Sequence, residues 1–495
     1  MICISIAQKS RRLALADLLN AARMGDMLEV RLDCFDKAPD FGDLFAAQRK
    51  PMILTCRRTR DGGEWDGSEE ERLALLRQGI ISKANYVEIE LDVADQIRPF
   101  PGVQRVISYT NLRETPEDIA DIYAEARGKK PDVIKLTTLA RTPEEAWPLV
   151  QILAKSSVPT VVGGLGKPGI MLAVLGKKIG APWTYAALER GMETSPGQPT
   201  INDLETIYHY RSIERTTRLI GVTGFDESAT MTVAALNAVL AHFQLPARCW
   251  PMTMGNPQMF RKIVEAVKLA AVVVDEEHQG AARTMATKLD AAAEQFQATD
   301  LLLHKENQWH GYQLQGRAAV AALETAMRTK GASEHPLKGR VVLIVGANAL
   351  AGNMARAMKA EGAILILAGR ERGAVQKLAH DLECRYIQFE AIYTTNHDVV
   401  VVCDEGHTAG GHTGSGGGIA GVHTGYLKPG MTVLDLTALG RKSALLREAE
   451  LRGCAIVSPR QLLLDRIALQ ARMLTGKETP REVLTNAIPE DYEDE

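Results

Sequence analysis

The sequence predicts an α/β protein: a parallel (β/α)8 barrel first, then a small α/β unit, then a strand–turn–helix unit of the dinucleotide-binding kind. Three observations carry this expectation. Short apolar runs alternate with helical patterns over roughly the first 190 residues. A later apolar strand runs straight into a glycine-bounded turn and a helix at 340–361. Composition is that of an ordinary globular chain, with 495 residues, 45% hydrophobic and 24% charged, long enough for two or three domains.

In the first region the apolar runs fall at 2–6, 27–32, 52–56, 86–91, 105–109, 133–136, 160–162 and 184–187, which makes eight strands. Amphipathic stretches such as 69–81, 116–126 and 143–153 lie between them, several opened by Ser, Thr or Pro in the manner of helix starts. Eight strands with mostly helical connections form a TIM barrel, whose chemistry gathers at the C-terminal strand ends. From about 214, a strand and turn at 219–224, a helix at 231–243 and a strand at 272–274 predict a small α/β unit reaching about 335. The run 340–345 then enters Gly346-Ala-Asn-Ala-Leu-Ala-Gly352, a helix to about Glu361 and a second strand at 364–367, which is the Rossmann pattern.

Charge and cysteine content exclude several functions. A net charge of −3 without a Lys/Arg run provides no field for nucleic acid or an anionic membrane, so the expected partner is a small molecule. Seven cysteines without a C-x-x-C pair indicate neither a disulfide framework nor a zinc knuckle, and no metal is expected. No stretch approaches the roughly 18 uninterrupted apolar residues of a membrane span. Lys9, Arg11 and Arg12 follow a very short apolar start, so a cytoplasmic location is expected.

Lys135 is a lone amine in the apolar run Asp132-Val-Ile-Lys-Leu-Thr-Thr138. Burial disfavours an ammonium, so a lysine there tends toward the free amine that attacks carbonyls and forms a Schiff base. The alternative is a strand-end lysine that snorkels to solvent. In Glu29-Val-Arg31-Leu-Asp33, three ionisable groups share one strand face, and Glu88 and Glu90 alternate with Val87, Ile89 and Leu91 in the same way. Such charges either build a site or form a buried ion-pair layer that only braces a barrel. Arg57 or Arg31 beside the amine would favour its neutral form and bind an anionic or polyhydroxylated substrate.

Together these segments resemble a family. Glu29-x-Arg31-x-Asp33, Thr55-Cys-Arg57 with Asp61-Gly-Gly63, Val106-Ile-Ser-Tyr109, Lys135 in Val-Ile-Lys-Leu, and Ser195-Pro-Gly-Gln198 with Ile201-Asn-Asp-Leu204 resemble type I 3-dehydroquinate dehydratase over residues 1 to about 210. The resemblance implies a lyase in which Lys135 condenses with the ring ketone of 3-dehydroquinate and water leaves from the activated neighbouring carbon. It implies that Glu29, Arg31 and Arg57 bind the substrate and that Gln198 closes the site. Three positions depart from the pattern. Thr110 stands where the family carries its acid/base histidine, Ala173 where an arginine pairs with the substrate carboxylate, and Asp61 where a glutamate is usual. A threonine does not titrate near neutral pH, and such a loss costs on the order of 10²–10⁴-fold per proton transfer.

The order of units resembles the bifunctional dehydroquinate dehydratase–shikimate dehydrogenase arrangement. The dehydrogenase-like part shows in Arg218-Leu-Ile-Gly-Val-Thr-Gly224, Gly311-Tyr312 and Leu427-Lys-Pro-Gly-Met431. The implied partition is a barrel at 1–213, a substrate domain at 214–335 with 459–495, and a Rossmann NADP-binding domain at 336–458. The family's Ser-x-Ser pair for shikimate falls on Thr230 and Thr232, which keep hydroxyl donors. Its catalytic lysine aligns with Gln279 and its aspartate with Gln315, so both acid/base groups are neutral amides and this half is expected to be impaired. His278, next to Gln279, is either a substitute or a loop histidine.

In the turn, Gly346 and Gly352 remain, whereas Asn348 and Ala349 occupy positions where backbone approaches a pyrophosphate; the turn is then either a cofactor cradle or a packing turn. Arg370, just after the second strand, favours NADP over NAD if it meets a 2′-phosphate, or is a solvated loop arginine. The glycine- and histidine-rich tract at 406–423 reads as a mobile loop rather than a metal site, and the acidic tail at 489–495 as a frayed end. The overall expectation is a shikimate-pathway homologue acting on 3-dehydroquinate, 3-dehydroshikimate or a shikimate-like ligand, in association with other enzymes of that pathway. The alternatives are a catalytically degenerate ligand sensor or scaffold, and an enzyme with a shifted substrate.

Overall fold

The computed structural model describes residues 1–328, 335–403, 422, 424–437 and 442–490. The chain divides into two compact units, Met1–Leu240 with Gln244–Val272, and Ala241–Phe243 with Val273–Glu495.

The first unit opens with the expected barrel. Its strands are β1 (Ile2–Ile6), β2 (Met27–Arg31), β3 (Met52–Thr55), β4 (Tyr86–Glu90), β5 (Gln104–Asn111), β6 (Val133–Thr138), β7 (Thr160–Gly164) and β8 (Thr184–Ala186). They lie in the order β7-β6-β5-β4-β3-β2-β1-β8, every paired neighbour is parallel, and the end strands β7 and β8 approach each other so that the barrel nearly closes. Helices α1 (Arg11–Met24), α2 (Phe41–Ala47), α3 (Glu69–Ile81), α4 (Ile119–Gly128), α5 (Pro143–Lys155) and α6 (Gly169–Ile179) cover it, and α7 (Ile201–Thr206) follows β8. The helix starts are chemically marked. Ser68 and Glu71 form a reciprocal capping box on α3, and the Thr142 hydroxyl caps α5 by accepting from the Glu145 N–H.

Helices outside and side chains within leave these strands dry on both faces, and β1, β2 and β3 are buried along their whole length. Cys3, Met27, Ile53, Val106, Val133, Val161 and Trp183 form one apolar cluster near the starts of the strands. The ionisable side chains come later along the same strands, toward the ends where barrel chemistry gathers. One buried charge pair braces the wall: Arg72 of α3 contacts Glu90 at 2.8 Å and also donates to the Cys56 carbonyl. Beyond the barrel the first unit holds β9 (Arg218–Thr223), α8 (Glu227–His242), β10 (Ala247–Met252), parallel to β9, and α9 (Pro257–Val267), with β11 (Ala271–Val273) next in the chain.

The second unit continues with α10 (Gln279–Arg283), β12 (Lys288–Leu289), α11 (Ala291–Phe296), the antiparallel hairpin β13 (Leu301–Lys305) and β14 (Gln308–Tyr312), and α12 (Gln315–Met327). Then come β15 (Val341–Val345), α13 (Ala349–Ala360), β16 (Ile364–Ala368), α14 (Arg372–Asp381), β17 (Arg385–Tyr386), β18 (Val399–Val402), β19 (Thr432–Asp435), α15 (Ala444–Leu451), β20 (Ala455–Ile456), α16 (Pro459–Thr475) and α17 (Arg481–Ala487). Strands β15 to β20 form an all-parallel sheet in the order β17-β16-β15-β18-β19-β20. Numbered within the sheet this is 3-2-1-4-5-6, the doubly wound dinucleotide-binding order. Alternate residues of β15 serve separate cores: Val342 and Ile344 face one, Leu343 and Val345 the other. Apart from Val422, the tract at 406–423 lies outside the described residues, as do 491–495 of the acidic tail.

Candidate functional site

Lys135 stands on β6 with 5% of its surface exposed, lining a cavity of about 110 Å³ in the barrel. Its Nζ donates to Glu88 Oε2 at 2.8 Å, lies 3.6 Å from Glu29 Oε1, and sits 4.1 Å from the centre of the Tyr185 ring. The nearest charges to the amine are therefore carboxylates rather than the guanidinium groups expected from the sequence. Arg57 serves the same two acids, with Nη2 at 3.3 Å from Glu88 and 3.7 Å from Glu29. The Thr55 hydroxyl lies 3.0 Å from Glu29 and 3.4 Å from Glu88, and the Ser5 hydroxyl donates to the other Glu29 oxygen at 2.7 Å. Two carboxylates thus face two cations in a space nearly closed to water. Burial pushes the Glu29 carboxyl up, but Lys135, Arg57 and Arg31 outweigh it and hold the group at about 2. Burial and the same two acids push the Tyr185 phenol well above its ordinary range.

The other residues singled out from the sequence take distinct places. Arg31 is bound bidentately to Asp33, at 3.0 and 2.6 Å, with both side chains buried; the cavity lining does not include it. Asp61 lines the cavity and accepts from Arg58 Nε at 2.6 Å. Thr110 and Ala173 also line it. Gln198 reaches Ser5 with Nε2 at 3.4 Å and accepts from the Thr194 N–H at 2.7 Å, so the closing loop is tied to the Glu29 network. That loop requires glycine at 197: φ is +72°, and a Cβ would lie 2.1 Å from the Gly166 carbonyl carbon. Ser5 and Tyr185 were not among the candidate residues, and Glu88 was named only as a charge that either builds a site or braces the barrel. For Glu88 the signal existed in its alternation with Val87 and Ile89, but the same pattern serves a bracing ion pair.

The positions expected to hold the second catalytic pair lie together in the second unit as a network of amides. Gln313 Nε2 donates to Gln279 Oε1 at 2.9 Å, Gln279 Nε2 reaches Gln315 Oε1 at 3.4 Å, and Gln315 Nε2 donates to Glu276. Gln313 was not anticipated. Beneath them Asp300 is fully buried and accepts from the Leu314 and Gln315 N–H groups; burial outweighs these bonds and lifts its carboxyl to about 7. His278 bonds Asp275 through Nδ1 at 2.6 Å. Thr230 and Thr232, in the first unit, each donate to a carbonyl one turn back, Asp226 at 2.9 Å and Ser228 at 2.8 Å, so their protons are already engaged and their lone pairs remain.

In the Rossmann turn, Gly346 has φ +128°, and Asn348 caps α13 by accepting from the Ala351 N–H while its amide donates to the Cys403 carbonyl at 2.8 Å. This joins the ends of β15 and β18, the switch point where such sheets bind ligands. Ala349 opens α13, and its side chain lies outside those described. Gly352 is buried, where a Cβ would meet the Arg356 side chain at 3.1 Å. Arg370 is exposed just past β16, its guanidinium 4.9 Å from the Phe389 ring centre. Glu324, His335 and Glu361 bring three ligand-type atoms within 4.8 Å of one another, an arrangement of exposed and half-buried groups that is common without an ion. None of the seven cysteines forms a disulfide, and among the described residues no helix is long and apolar enough to cross a membrane.

Comparison with known proteins gives this geometry a lineage. Residues 2–215 match the family model of type I 3-dehydroquinase. The 3-dehydroquinate dehydratase of Methanopyrus kandleri is 32% identical over 185 residues, covering 36% of this chain and 84% of that relative. The chain belongs to the type I 3-dehydroquinate dehydratase family. The dehydratase of Methanocaldococcus jannaschii is 27% identical over 225 residues, 43% of this chain and 100% of the relative. Similarity extends past the dehydratase region as well: the chloroplastic bifunctional 3-dehydroquinate dehydratase/shikimate dehydrogenase of Arabidopsis thaliana is 24% identical over 503 residues, 98% of this chain and 83% of the relative.

For a dehydratase-family barrel, the arrangement offers a buried amine, two acids within 3.6 Å of it and, among the described residues, no imidazole on the cavity wall. The depressed Glu29 carboxyl makes a pH prediction. Its folded value of about 2 lies below the ordinary glutamate value of about 4.3, so its contribution to stability is full above 4.3 and is lost as pH falls toward 2. Urea unfolding followed across that window is expected to show a shallower pH dependence in Glu29→Gln than in the parent protein; equal slopes would contradict the assignment.

Proposed function

We propose that the barrel dehydrates 3-dehydroquinate to 3-dehydroshikimate through an imine on Lys135. The observation that carries this reading is a buried lysine on the cavity wall with a carboxylate at 2.8 Å, in a chain of the dehydratase family. The amine condenses with the ring ketone, and the resulting iminium withdraws electrons from the adjacent carbon so that its proton is lost and the β-hydroxyl departs. Arg57 and Gln198 orient the ring hydroxyls. With Thr110 in place of a histidine and Ala173 in place of an arginine, turnover is slow and the substrate carboxylate lacks a bidentate partner. Incubation with 3-dehydroquinate and borohydride is expected to add one reduced adduct by intact mass, located on Lys135 by peptide mapping and absent from Lys135→Met. No adduct in the parent protein would remove the lyase reading.

The substrate domain at 214–335 with 459–495 and the Rossmann domain at 336–458 are proposed to bind a shikimate-like ligand and NADP with little turnover. NADP would lie at the N-terminus of α13 with its 2′-phosphate against Arg370, and in its reduced form it would supply the hydride. The exposed Arg370 guanidinium and the glycine at the left-handed position 346 fit that placement. The amides Gln279 and Gln315 have no proton to deliver to a developing alkoxide. Arg370→Ala is expected to weaken NADPH binding about tenfold, roughly 1.4 kcal/mol, and to leave NADH binding unchanged. Equal affinity of variant and parent for NADPH, measured by calorimetry, would contradict the phosphate-reading role.

A further inference from the structure

We infer that Glu88 carries the protons that Lys135 must release and regain while its imine forms and is hydrolysed. This rests on the reading of Lys135 as the nucleophile. Among the side chains around Nζ, Glu88 is placed for the task. Its Oε2 accepts directly from Nζ at 2.8 Å, whereas Glu29 stands 3.6 Å away and Arg57 and Tyr185 offer no base. Glu29 accepts the Ser5 and Thr55 hydroxyls and faces three cations, which hold its carboxyl at about 2 and leave it without a proton to give at neutral pH. Tyr185 turns its ring, not its oxygen, to the amine, and its phenol is pushed well above its ordinary range. Thr110, on the cavity wall, has a hydroxyl that does not titrate in this range.

The cycle balances on this one carboxylate. The Lys135 ammonium passes a proton to Glu88, leaving a neutral amine and a neutral acid. In so dry a space this exchange removes two buried charges, which offsets the attraction lost between them. The amine lone pair forms the C–N bond, the carbonyl π electrons move to oxygen, and Glu88 returns its proton to that oxygen. Glu88 next takes one proton from the attached nitrogen and gives it to the carbinol hydroxyl. The hydroxyl leaves as water while the nitrogen lone pair closes the C=N bond. The sum is ammonium plus ketone giving iminium plus water, and hydrolysis runs the same transfers backwards. Glu29 keeps its charge throughout and supports the cationic nitrogen.

Arg57 holds the second Glu88 oxygen at 3.3 Å, and the Thr55 hydroxyl lies between the two acids, so the carboxylate is fixed in reach of Nζ. The groups facing it are therefore Lys135, Arg57, Thr55 and, behind the amine, Glu29 and Tyr185. The test is the rate of borohydride-trapped adduct formation from 3-dehydroquinate, followed by intact mass as a function of pH. Glu88→Gln is expected to trap on the order of 10²-fold more slowly and to lose one limb of the pH profile, with Lys135 still modified at long times. If Glu88→Gln does not fold, Glu88→Asp and Glu88→Ala with added formate take its place, the former slowed and the latter rescued by formate. A parent protein that forms the adduct while these variants match its rate and pH profile would overturn this inference alone. A parent protein that forms no adduct would overturn it together with the lysine reading.

Discussion

Two glutamates in a barrel nearly sealed from water set the terms for the rest of the site. Glu29 and Glu88 cannot remain ionised there without cations and donors. Lys135 and Arg57 supply the charge, while Ser5 and Thr55 supply hydroxyl hydrogen bonds. Arg31 adds to the positive field while remaining bound to its own partner, Asp33. The lysine is therefore part of a balanced cluster rather than an isolated costly amine. In the proposed reaction its reactivity depends on how easily one proton moves across a 2.8 Å contact. The apolar cluster from Cys3 to Trp183 gives this polar layer a dry base, and the Gln198 loop ties to it through Ser5.

Under the proposed reading the two halves of the chain depart from their families in a similar chemical direction. Thr110 stands in the barrel where an imidazole would titrate, and Gln279 and Gln315 stand in the second unit where a lysine and an aspartate would exchange protons. The consequences differ because of what remains nearby. Around Lys135 the proposed proton route keeps one carboxylate in direct contact with the amine, that of Glu88. Around Gln279 the amides bond to Gln313 and Gln315, and the chain of bonds ends on the Glu276 carboxylate. Glu276 is the titratable group bonded directly to that network, through the Gln315 amide, and the Asp300 oxygens beneath it are occupied by backbone N–H groups.

Much of this was legible in the sequence where a physical period was strong. Eight apolar runs separated by capped helices predicted the barrel, and the alternation of Glu29 and Arg31 placed charges on a buried strand, but that strand ends at Arg31 and Asp33 lies in the 3-10 turn Leu32–Cys34 rather than on the same face. The strand–turn–helix after Arg340 predicted the first half of the doubly wound sheet, whereas the later strands β18 to β20 are short runs without an equally clear turn signature. Side-chain partners were less legible. Sequence spacing shows that Arg31 is buried but not that Asp33, two residues away, takes its whole guanidinium. Thr230 and Thr232 present hydroxyls, yet a helical backbone one turn earlier takes their protons. Three glutamines within reach of one another become a network only when α10 and the start of α12 are brought together.

In the proposed reaction Lys135 is the nucleophile and no imidazole serves it, so that proton transfer limits turnover. Steady-state dehydration of 3-dehydroquinate by Thr110→His tests this most directly, because position 110 lines the same cavity as Lys135. A rise in kcat on the order of 10²-fold or more is expected, as for restoring one general acid/base. An unchanged kcat in a folded variant would contradict it.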